Sequence, residues 1–147
     1  MDPNSRVAVK DLSPEWRELV EAARVAREMA YAPYSRVSVG AAVRTASGTV
    51  YTGGNIENGV FGLTVCAERV AIWKAISAGD RDLRALAVVT DTGATPCGSC
   101  RQVMAEFAEE LPVVIAATDG RAWRTSLAEL LPHAFPRTNL SGRPELG

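Results

Sequence analysis

The sequence predicts an α/β domain in which helices cover both faces of a mixed β-sheet, a three-layer α-β-α sandwich. Helical and strand periodicities alternate along the chain, which is typical of a sheet covered by helices. The first two strands are joined by a tight turn and can pair antiparallel, whereas the later strands are joined through helices that act as crossovers. With 147 residues, the chain has the length of a single domain.

The predicted helices are recognised from their start and stop signals. The first begins at Ser13, a capping residue, with Pro14 in the first helical position, and it ends before Pro33. The last begins at the capping box formed by Ser126 and Glu129. The two central helices are predicted over residues 66–78 and 98–110.

The predicted strands follow from alternating or continuous apolar stretches. Alternating apolar residues from Val37 to Val43 indicate the first strand, and the Ser47-Gly48 turn leads into a second strand over residues 49–51. Two continuous apolar stretches predict buried strands at residues 83–90 and 113–117, and Asp119-Gly120 is predicted to end the second of them. The remaining segments are predicted as a glycine-rich loop over residues 53–64 and as polar, mobile ends over residues 1–12 and 137–147.

The composition argues against several classes of protein. Lys and Arg number 16 against 17 Asp and Glu, so the net charge of −1 provides no excess of positive charge for binding nucleic acid. The longest apolar runs are far too short to span a bilayer, and the first residues have no apolar signal segment. We therefore expect a cytoplasmic protein that binds neither membranes nor nucleic acid.

All three cysteines lie in two short motifs, Cys66-Ala67-Glu68 and Pro96-Cys97-Gly98-Ser99-Cys100. An odd number of cysteines in a cytoplasmic protein argues against a disulfide framework and favours metal binding or catalysis. Three thiolates can bind one zinc ion and leave its fourth tetrahedral position open. The cysteines also fall where the two central helices begin, and a helix N-terminus stabilises a thiolate. The motifs therefore predict one zinc ion held by Cys66, Cys97 and Cys100.

Glu68 is the candidate catalytic residue, because it lies two residues after Cys66 and can reach the open zinc position without binding the metal. Arg69 and Arg101 follow the cysteines and are candidate donors to the sulfur atoms, Arg69 first because it lies one helical turn from Cys66. The alternative is a closed structural site, which needs a fourth protein ligand. His133 is the only histidine of the chain and has no ligand-type spacing to the cysteines.

Five separated motifs in this order resemble the small homotetrameric cytidine deaminases, over about residues 30–135. They are Tyr31-Ala32-Pro33-Tyr34-Ser35, Val39-Gly40-Ala41-Ala42, Gly54-Asn55-Ile56-Glu57-Asn58, Cys66-Ala67-Glu68-Arg69 and Pro96-Cys97-Gly98-Ser99-Cys100-Arg101-Gln102. The resemblance implies a single deaminase-like domain with a five-stranded mixed sheet, one Zn²⁺ per subunit and a homotetramer. It also implies hydrolytic deamination of cytidine and 2′-deoxycytidine in pyrimidine salvage, with Glu68 moving the protons.

The resemblance further implies which residues contact the nucleoside. Asn55 and Glu57 correspond to residues that bind the ribose, chiefly its 3′-hydroxyl, although an asparagine in such a loop is also a common turn former. The Ala67 N–H corresponds to a donor to the 2-carbonyl of the pyrimidine. The family usually has phenylalanine at Val37, where it stacks on the pyrimidine, so valine predicts weaker binding or a shifted substrate preference.

Two other positions are relevant to the resemblance. Phe61 stands where tyrosine is common, and Phe135 either reaches the pocket of a neighbouring subunit or packs in the core. Two alternative functions also stay open: a deaminase of another aminopyrimidine nucleoside, such as a modified cytidine or a nucleoside antibiotic, and a non-catalytic zinc-stabilised oligomeric module.

Overall fold

The structure, a computed structural model, describes residues 5–135. The helices of this part of the chain are α1 (Pro14–Arg27), α2 (Ala67–Ser77), α3 (Gly98–Phe107) and α4 (Leu127–Leu130). Its strands are β1 (Arg6–Ala8), β2 (Gly40–Thr45), β3 (Val50–Gly54), β4 (Leu83–Thr90), β5 (Pro112–Ala117) and β6 (Arg121–Ser126). Two short 3₁₀ turns cover Val9–Asp11 and Phe61–Leu63. None of the helices in residues 5–135 has the length and hydropathy needed to cross a membrane.

The strands form one mixed sheet in the order β1-β6-β5-β4-β2-β3. Only β4 and β5 pair in parallel, through a crossover that contains α3, and every other neighbouring pair is antiparallel. The predicted mixed sheet is confirmed. The expected number of five strands is wrong, because the described residues contribute six.

The two outer strands on one side, β6 and β1, are the part of the sheet that the sequence pattern did not predict. The Asp119-Gly120 pair turns the chain back instead of only ending β5, since Gly120 adopts a φ of 94°. The returning β6 pairs antiparallel with β5, and Arg6–Ala8 then pairs with β6. The N-terminal segment therefore joins the sheet from Arg6 onwards and is not a loose end over all of residues 1–12. The other expected loose end, residues 137–147, lies outside the described residues.

The helices form two layers, one on each face of the sheet, which confirms the three-layer arrangement. Alternate residues of β4 show the division. Ala87 and Val89 pack in the core beneath α1, whereas Leu86 and Val88 pack in the core beneath α2 and α3. Both cores consist mainly of buried aliphatic side chains, and this burial is the main source of the stability of the fold.

Two glycines allow helices to lie close to the sheet. A Cβ atom on Gly40 of β2 would lie 1.9 Å from the carbonyl oxygen of Ala23 in α1. On the opposite face, a Cβ atom on Gly53 would lie 2.7 Å from the backbone nitrogen of Ala71 in α2. Gly53 lies in β3, so the segment predicted as a loop over residues 53–64 begins two residues too early.

The topology places the starts of α2 and α3 at one edge of the sheet. Strand β3 is antiparallel to β2, and β2 is antiparallel to β4, so β3 and β4 run in the same direction and end at the same edge. Helix α2 begins after the loop that follows β3, and α3 begins after the loop that follows β4. Ligands of open α/β sheets commonly bind outside the carboxyl ends of such strands.

Candidate active site

The three cysteines meet at the N-termini of α2 and α3. Cys66 is the N-cap residue of α2, Cys97 is the N-cap residue of α3, and Cys100 lies in the first turn of α3. The Sγ atom of Cys97 lies 3.7 Å from that of Cys66 and 3.4 Å from that of Cys100. All three sulfur atoms lie within 4.8 Å of one another.

This spacing fits a zinc ion. Tetrahedral zinc with Zn–S bonds of about 2.3 Å separates its sulfur ligands by about 3.8 Å, close to the two distances given above. Among residues 5–135, the cysteines are the only group of three or more metal-ligating side chains close enough to share an ion. His133 is exposed and does not belong to this group, so the described residues offer no histidine as a fourth ligand.

Arg69 lies beside the sulfur atoms, as its spacing predicts. Its Nη2 donates to the Sγ atom of Cys66 at 3.3 Å, and its guanidinium lies over the ring of Trp73, 5.9 Å from the ring centroid. Arg101 has a different role from the expected one. Its Nε donates to the carbonyl oxygen of Pro96 at 2.8 Å and its Nη1 to that of Leu130 at 2.6 Å, so Arg101 connects the start of α3 to the end of α4.

The surroundings of Cys66 favour its thiolate. A hydrogen bond from the Cys100 thiol, with a further one from Arg69, lowers the pKa of Cys66 to about 5. The same hydrogen bond to Cys66, together with burial, raises the pKa of Cys100. The protonated form of Cys100 is therefore favoured, and a metal ion that binds this sulfur atom must displace its proton.

Glu68 lies in the first turn of α2 and is only 4% exposed. Burial raises the pKa of its carboxyl group, and the negative charge of Cys66 raises it further. A buried carboxyl group beside three metal-binding sulfur atoms can hold and release protons within a water-poor site. Ala67, the residue before it, is fully buried, and its backbone N–H belongs to the helix turn whose N–H groups lack partners within the helix.

The predicted sugar-binding residues form a second group around residues 34–39. The buried side chain of Asn55 accepts a hydrogen bond from the N–H of Val39 and donates one to the carbonyl oxygen of Val37, each at 2.8 Å. The Glu57 carboxylate accepts hydrogen bonds from the backbone N–H groups of Tyr34 and Ser35, at 2.9 and 3.1 Å. Asn55 therefore joins two segments and is not a simple turn former. The turn-forming asparagine of this loop is Asn58, whose Oδ1 accepts from the N–H of Val60 at 2.8 Å.

A short antiparallel bridge connects the two groups. Ile56 lies between the two predicted sugar-binding residues, and its backbone exchanges two hydrogen bonds of 3.0 Å with Val65. Val65 precedes Cys66, so the sugar-binding loop is fixed to the start of the metal-binding helix.

The other positions named from the sequence lie on the surface. Val37 is 54% exposed, Phe61 is 77% exposed and Phe135 is 57% exposed. The Phe61 ring contacts the Tyr34 ring edge-on, with a centroid distance of 6.1 Å. The exposure of Phe135 shows that, within the single chain, it does not pack in the core.

Sequence reasoning did not identify Ser35 as a residue with a function. Its hydroxyl donates to Oε2 of Glu57 at 2.5 Å and accepts from the N–H of Val37 at 3.0 Å. A serine whose hydroxyl binds the backbone two residues later is a recognised turn element and a usable sequence signal. Its contact with Glu57, 22 residues away, has no such local signal.

Comparisons with known proteins find similar sequences and structures. The family model for the cytidine and deoxycytidylate deaminase zinc-binding region matches residues 14–117. A cytidine deaminase from Sporosarcina psychrophila is 48% identical over 127 residues, 84% of this chain and 93% of the relative. A blasticidin-S deaminase from Bacillus cereus is 31% identical over 86% of this chain and 96% of its own length. The crystal structure of cytidine deaminase from Burkholderia pseudomallei superimposes with a TM-score of 0.80 at 46% identity, covering 84% of this chain and all of that one.

Proposed function

This chain belongs to the family of cytidine and deoxycytidylate deaminases with a zinc-binding region, and we propose that it hydrolyses cytidine and 2′-deoxycytidine to uridine and 2′-deoxyuridine. One observation carries the proposal. Three sulfur atoms lie together at zinc spacing, and the buried carboxyl group of Glu68 comes from the first turn of α2, directly after Cys66. In the reaction, a C–O bond forms at C4 of the pyrimidine, the C4–N bond breaks, and the amino group leaves as ammonia.

Cys66, Cys97 and Cys100 are the proposed ligands of one zinc ion per chain. Bound zinc lowers the pKa of a water ligand toward neutrality. Three thiolates give the site a net negative charge, which weakens a metal as a Lewis acid. The hydrogen bond from Arg69 to Cys66 and the N-termini of α2 and α3 offset part of this charge.

Glu68 is the proposed catalytic acid and base. Its carboxylate takes a proton from the attacking water and delivers it to ring N3, which makes C4 more electrophilic. It then takes the proton of the hydroxyl group now on C4 and passes it to the exocyclic nitrogen, so that the C4–N bond breaks with loss of ammonia and not of an amide anion. The backbone N–H of Ala67, from the same turn, donates to the pyrimidine 2-carbonyl and fixes the ring in register with Glu68.

Asn55 and Glu57 are the proposed ribose-binding residues. After the contacts described above, the Asn55 amide nitrogen retains one N–H, and Oε2 of Glu57 retains one acceptor position. A sugar hydroxyl is both a donor and an acceptor, so one hydroxyl can satisfy both groups. This complementarity supports their assignment to the 3′-hydroxyl.

Val37 is the proposed wall against the pyrimidine ring, and an aromatic ring at this position should strengthen binding. We expect Val37→Phe to lower KM for cytidine by about fivefold or more, since stacking on an aromatic side chain is worth about 1–3 kcal/mol per base. Steady-state rates at varied cytidine concentration measure this effect, with Val25→Phe on the exposed side of α1 as the control. An unchanged or higher KM for Val37→Phe would show that residue 37 does not contact the ring.

A second candidate substrate is another aminopyrimidine nucleoside. Two observations favour it: the exposed valine at residue 37 and the similarity to a blasticidin-S deaminase over most of both chains. A panel of cytidine, 2′-deoxycytidine, 5-substituted cytidines and blasticidin S, compared by kcat/KM, separates the two candidates. The proposal requires cytidine or 2′-deoxycytidine to have the highest value.

We further propose that the protein is a homotetramer acting in pyrimidine salvage in the cytoplasm. Six large apolar side chains of the Tyr31–Tyr34 region and the residue 56–63 loop are exposed, namely Tyr31, Tyr34, Ile56, Val60, Phe61 and Leu63. The two segments are adjacent, since the Phe61 ring contacts the Tyr34 ring and the Ile56 backbone pairs with Tyr31. Exposed apolar side chains grouped in this way are typical of an interaction surface, and second copies of this chain are its proposed partners. Light scattering should give a mass four times the 15.7 kDa of one chain. A monomeric mass would contradict the assembly without affecting the chemistry.

Ammonia release from cytidine tests the proposed reaction. The zinc-loaded protein should release one ammonia for each uridine formed, and removal of zinc with a chelator should abolish both. A protein that binds zinc but releases no ammonia from any nucleoside of the panel would instead be the non-catalytic zinc-stabilised module.

A further inference from the structure

The segment of residues 34–39 is attached to residues 55–57 by a dense set of hydrogen bonds. Glu57 binds the start of the segment through two backbone N–H groups and one hydroxyl. Asn55 binds its end through the side-chain contacts to Val37 and Val39 and through its own N–H, which donates to the Val39 carbonyl oxygen at 3.2 Å. The two proposed sugar-binding residues therefore also determine where Val37 lies.

The chain between these attachments makes a tight turn at Arg36. Arg36 has a φ of 63°, in the left-handed region that residues other than glycine rarely adopt, and its N–H donates to the carbonyl oxygen of Ala32 at 3.0 Å. A turn of this kind persists only when surrounding contacts hold it. The contacts next to the turn come from Ser35, whose hydroxyl binds Glu57 on one side and the N–H of Val37 on the other.

Ser35 thereby limits how the Glu57 carboxylate can rotate. Oε1 of Glu57 already accepts from two backbone N–H groups, whereas Oε2 accepts only from the Ser35 hydroxyl. With one acceptor position of Oε2 occupied by Ser35, the remaining position has a defined direction. The same hydrogen bonds lower the pKa of Glu57, first among them the one from the Ser35 hydroxyl, which keeps the carboxylate ionised and able to accept.

We propose that Ser35 is a positioning residue for sugar recognition, which orients the free acceptor position of Glu57 toward a sugar hydroxyl. This inference rests on the proposed function, because it concerns how the same site selects a nucleoside. Ser35 does not contact the reacting atoms in this assignment, and it acts through Glu57. Its side chain is exposed and contributes nothing to either buried core.

The test compares Ser35→Ala with Ser35→Thr, which keeps the hydroxyl. Ser47→Ala is the matched control, because the Ser47 hydroxyl also donates to a carboxylate, that of Asp80 at 2.7 Å, at the turn between β2 and β3 on the opposite edge of the sheet. Each variant is assayed with cytidine and with 3′-deoxycytidine, and its melting temperature is measured.

We expect Ser35→Ala to raise KM for cytidine by about three- to tenfold with kcat changed less than about twofold. This is the size of one typical hydrogen bond, because Glu57 keeps its charge and loses only its orientation. KM for 3′-deoxycytidine should change by less than about twofold, because that substrate lacks the hydroxyl that Glu57 binds. Ser35→Thr and Ser47→Ala should resemble the unmodified protein. Equal increases of KM for both substrates, or no increase for either, would overturn the positioning role.

Uridine binding, measured by calorimetry, separates this inference from the proposed function. If no ammonia is released from cytidine, the proposed reaction is wrong, but a weaker uridine affinity in Ser35→Ala than in Ser35→Thr still supports positioning. If the protein shows neither turnover nor uridine binding, both proposals are wrong.

Discussion

Replacement of Glu68 by glutamine is expected to reduce kcat for cytidine by about 10³-fold or more, with the zinc content kept at one ion per chain. Glutamine has nearly the same shape as glutamate but cannot take or release a proton at neutral pH. A positioned acid or base typically contributes about 10²–10⁴-fold, and Glu68 serves in successive transfers. The Glu68 side chain lies next to the three sulfur atoms but does not belong to the proposed ligand set, so the variant should still bind zinc.

Glu15 provides the matched control for this change, since it lies in the first turn of α1 as Glu68 lies in the first turn of α2, but is exposed. Glu15→Gln should leave kcat unchanged. Rates are followed by the loss of cytidine absorbance, and zinc is measured by elemental analysis of the same samples. A near-normal kcat in Glu68→Gln would contradict the catalytic role of Glu68. Loss of zinc from this variant would indicate that Glu68 supports the metal site instead.

Replacement of Cys97 by alanine should eliminate zinc binding, activity and part of the stability together. Cys97 lies between the other two cysteines, with contacts of 3.7 and 3.4 Å, and two remaining thiolates cannot complete the site. Changes outside the ligand set alone cost about 10–100-fold in metal affinity, so loss of a ligand should cost at least about 10²-fold. Because bound metal stabilises only the folded state, we expect the melting temperature to fall by about 8 °C or more.

Ser99→Ala is the control for Cys97→Ala, because Ser99 lies on the same turn between the two cysteines of α3. It should retain zinc, activity and melting temperature. The unmodified protein treated with a chelator should melt at the same temperature as Cys97→Ala. A Cys97→Ala variant that retained one zinc ion and its activity would show that the three cysteines are not the ligand set.

The metal site was predictable because its information is local in sequence. The three cysteines lie at the starts of two helices, and these starts can be recognised in the sequence from proline, glycine and apolar periodicity. The fold places both helix starts at the same edge of the mixed sheet. The strand count was not predictable in the same way. Only Ala122 is buried in the polar sequence of β6, so its apolar periodicity is weak. The Asp119-Gly120 pair predicts a strand end, whereas in the structure it forms a hairpin turn.

The contacts on the sugar-binding side of the site, unlike the metal site, could not be predicted from local sequence. The family resemblance implies hydroxyl recognition by Asn55 and Glu57, but nothing local in the sequence indicates that both already bind residues 34–39. The bond between Ser35 and Glu57 spans 22 residues and depends on how the loop after β3 lies against the loop after α1. Such contacts follow from the tertiary fold, not from the residue patterns that predict helices and strands.

X-ray absorption at the zinc edge tests the central claim of this account most directly, which is that three cysteines hold one zinc ion and leave its fourth position to a non-protein ligand. The predicted spectrum of the substrate-free protein has three sulfur neighbours at about 2.3 Å and one lighter neighbour at about 2.0 Å, without the outer-shell features of an imidazole. A spectrum with a fourth protein ligand, or a purified, active protein without zinc, would contradict the account.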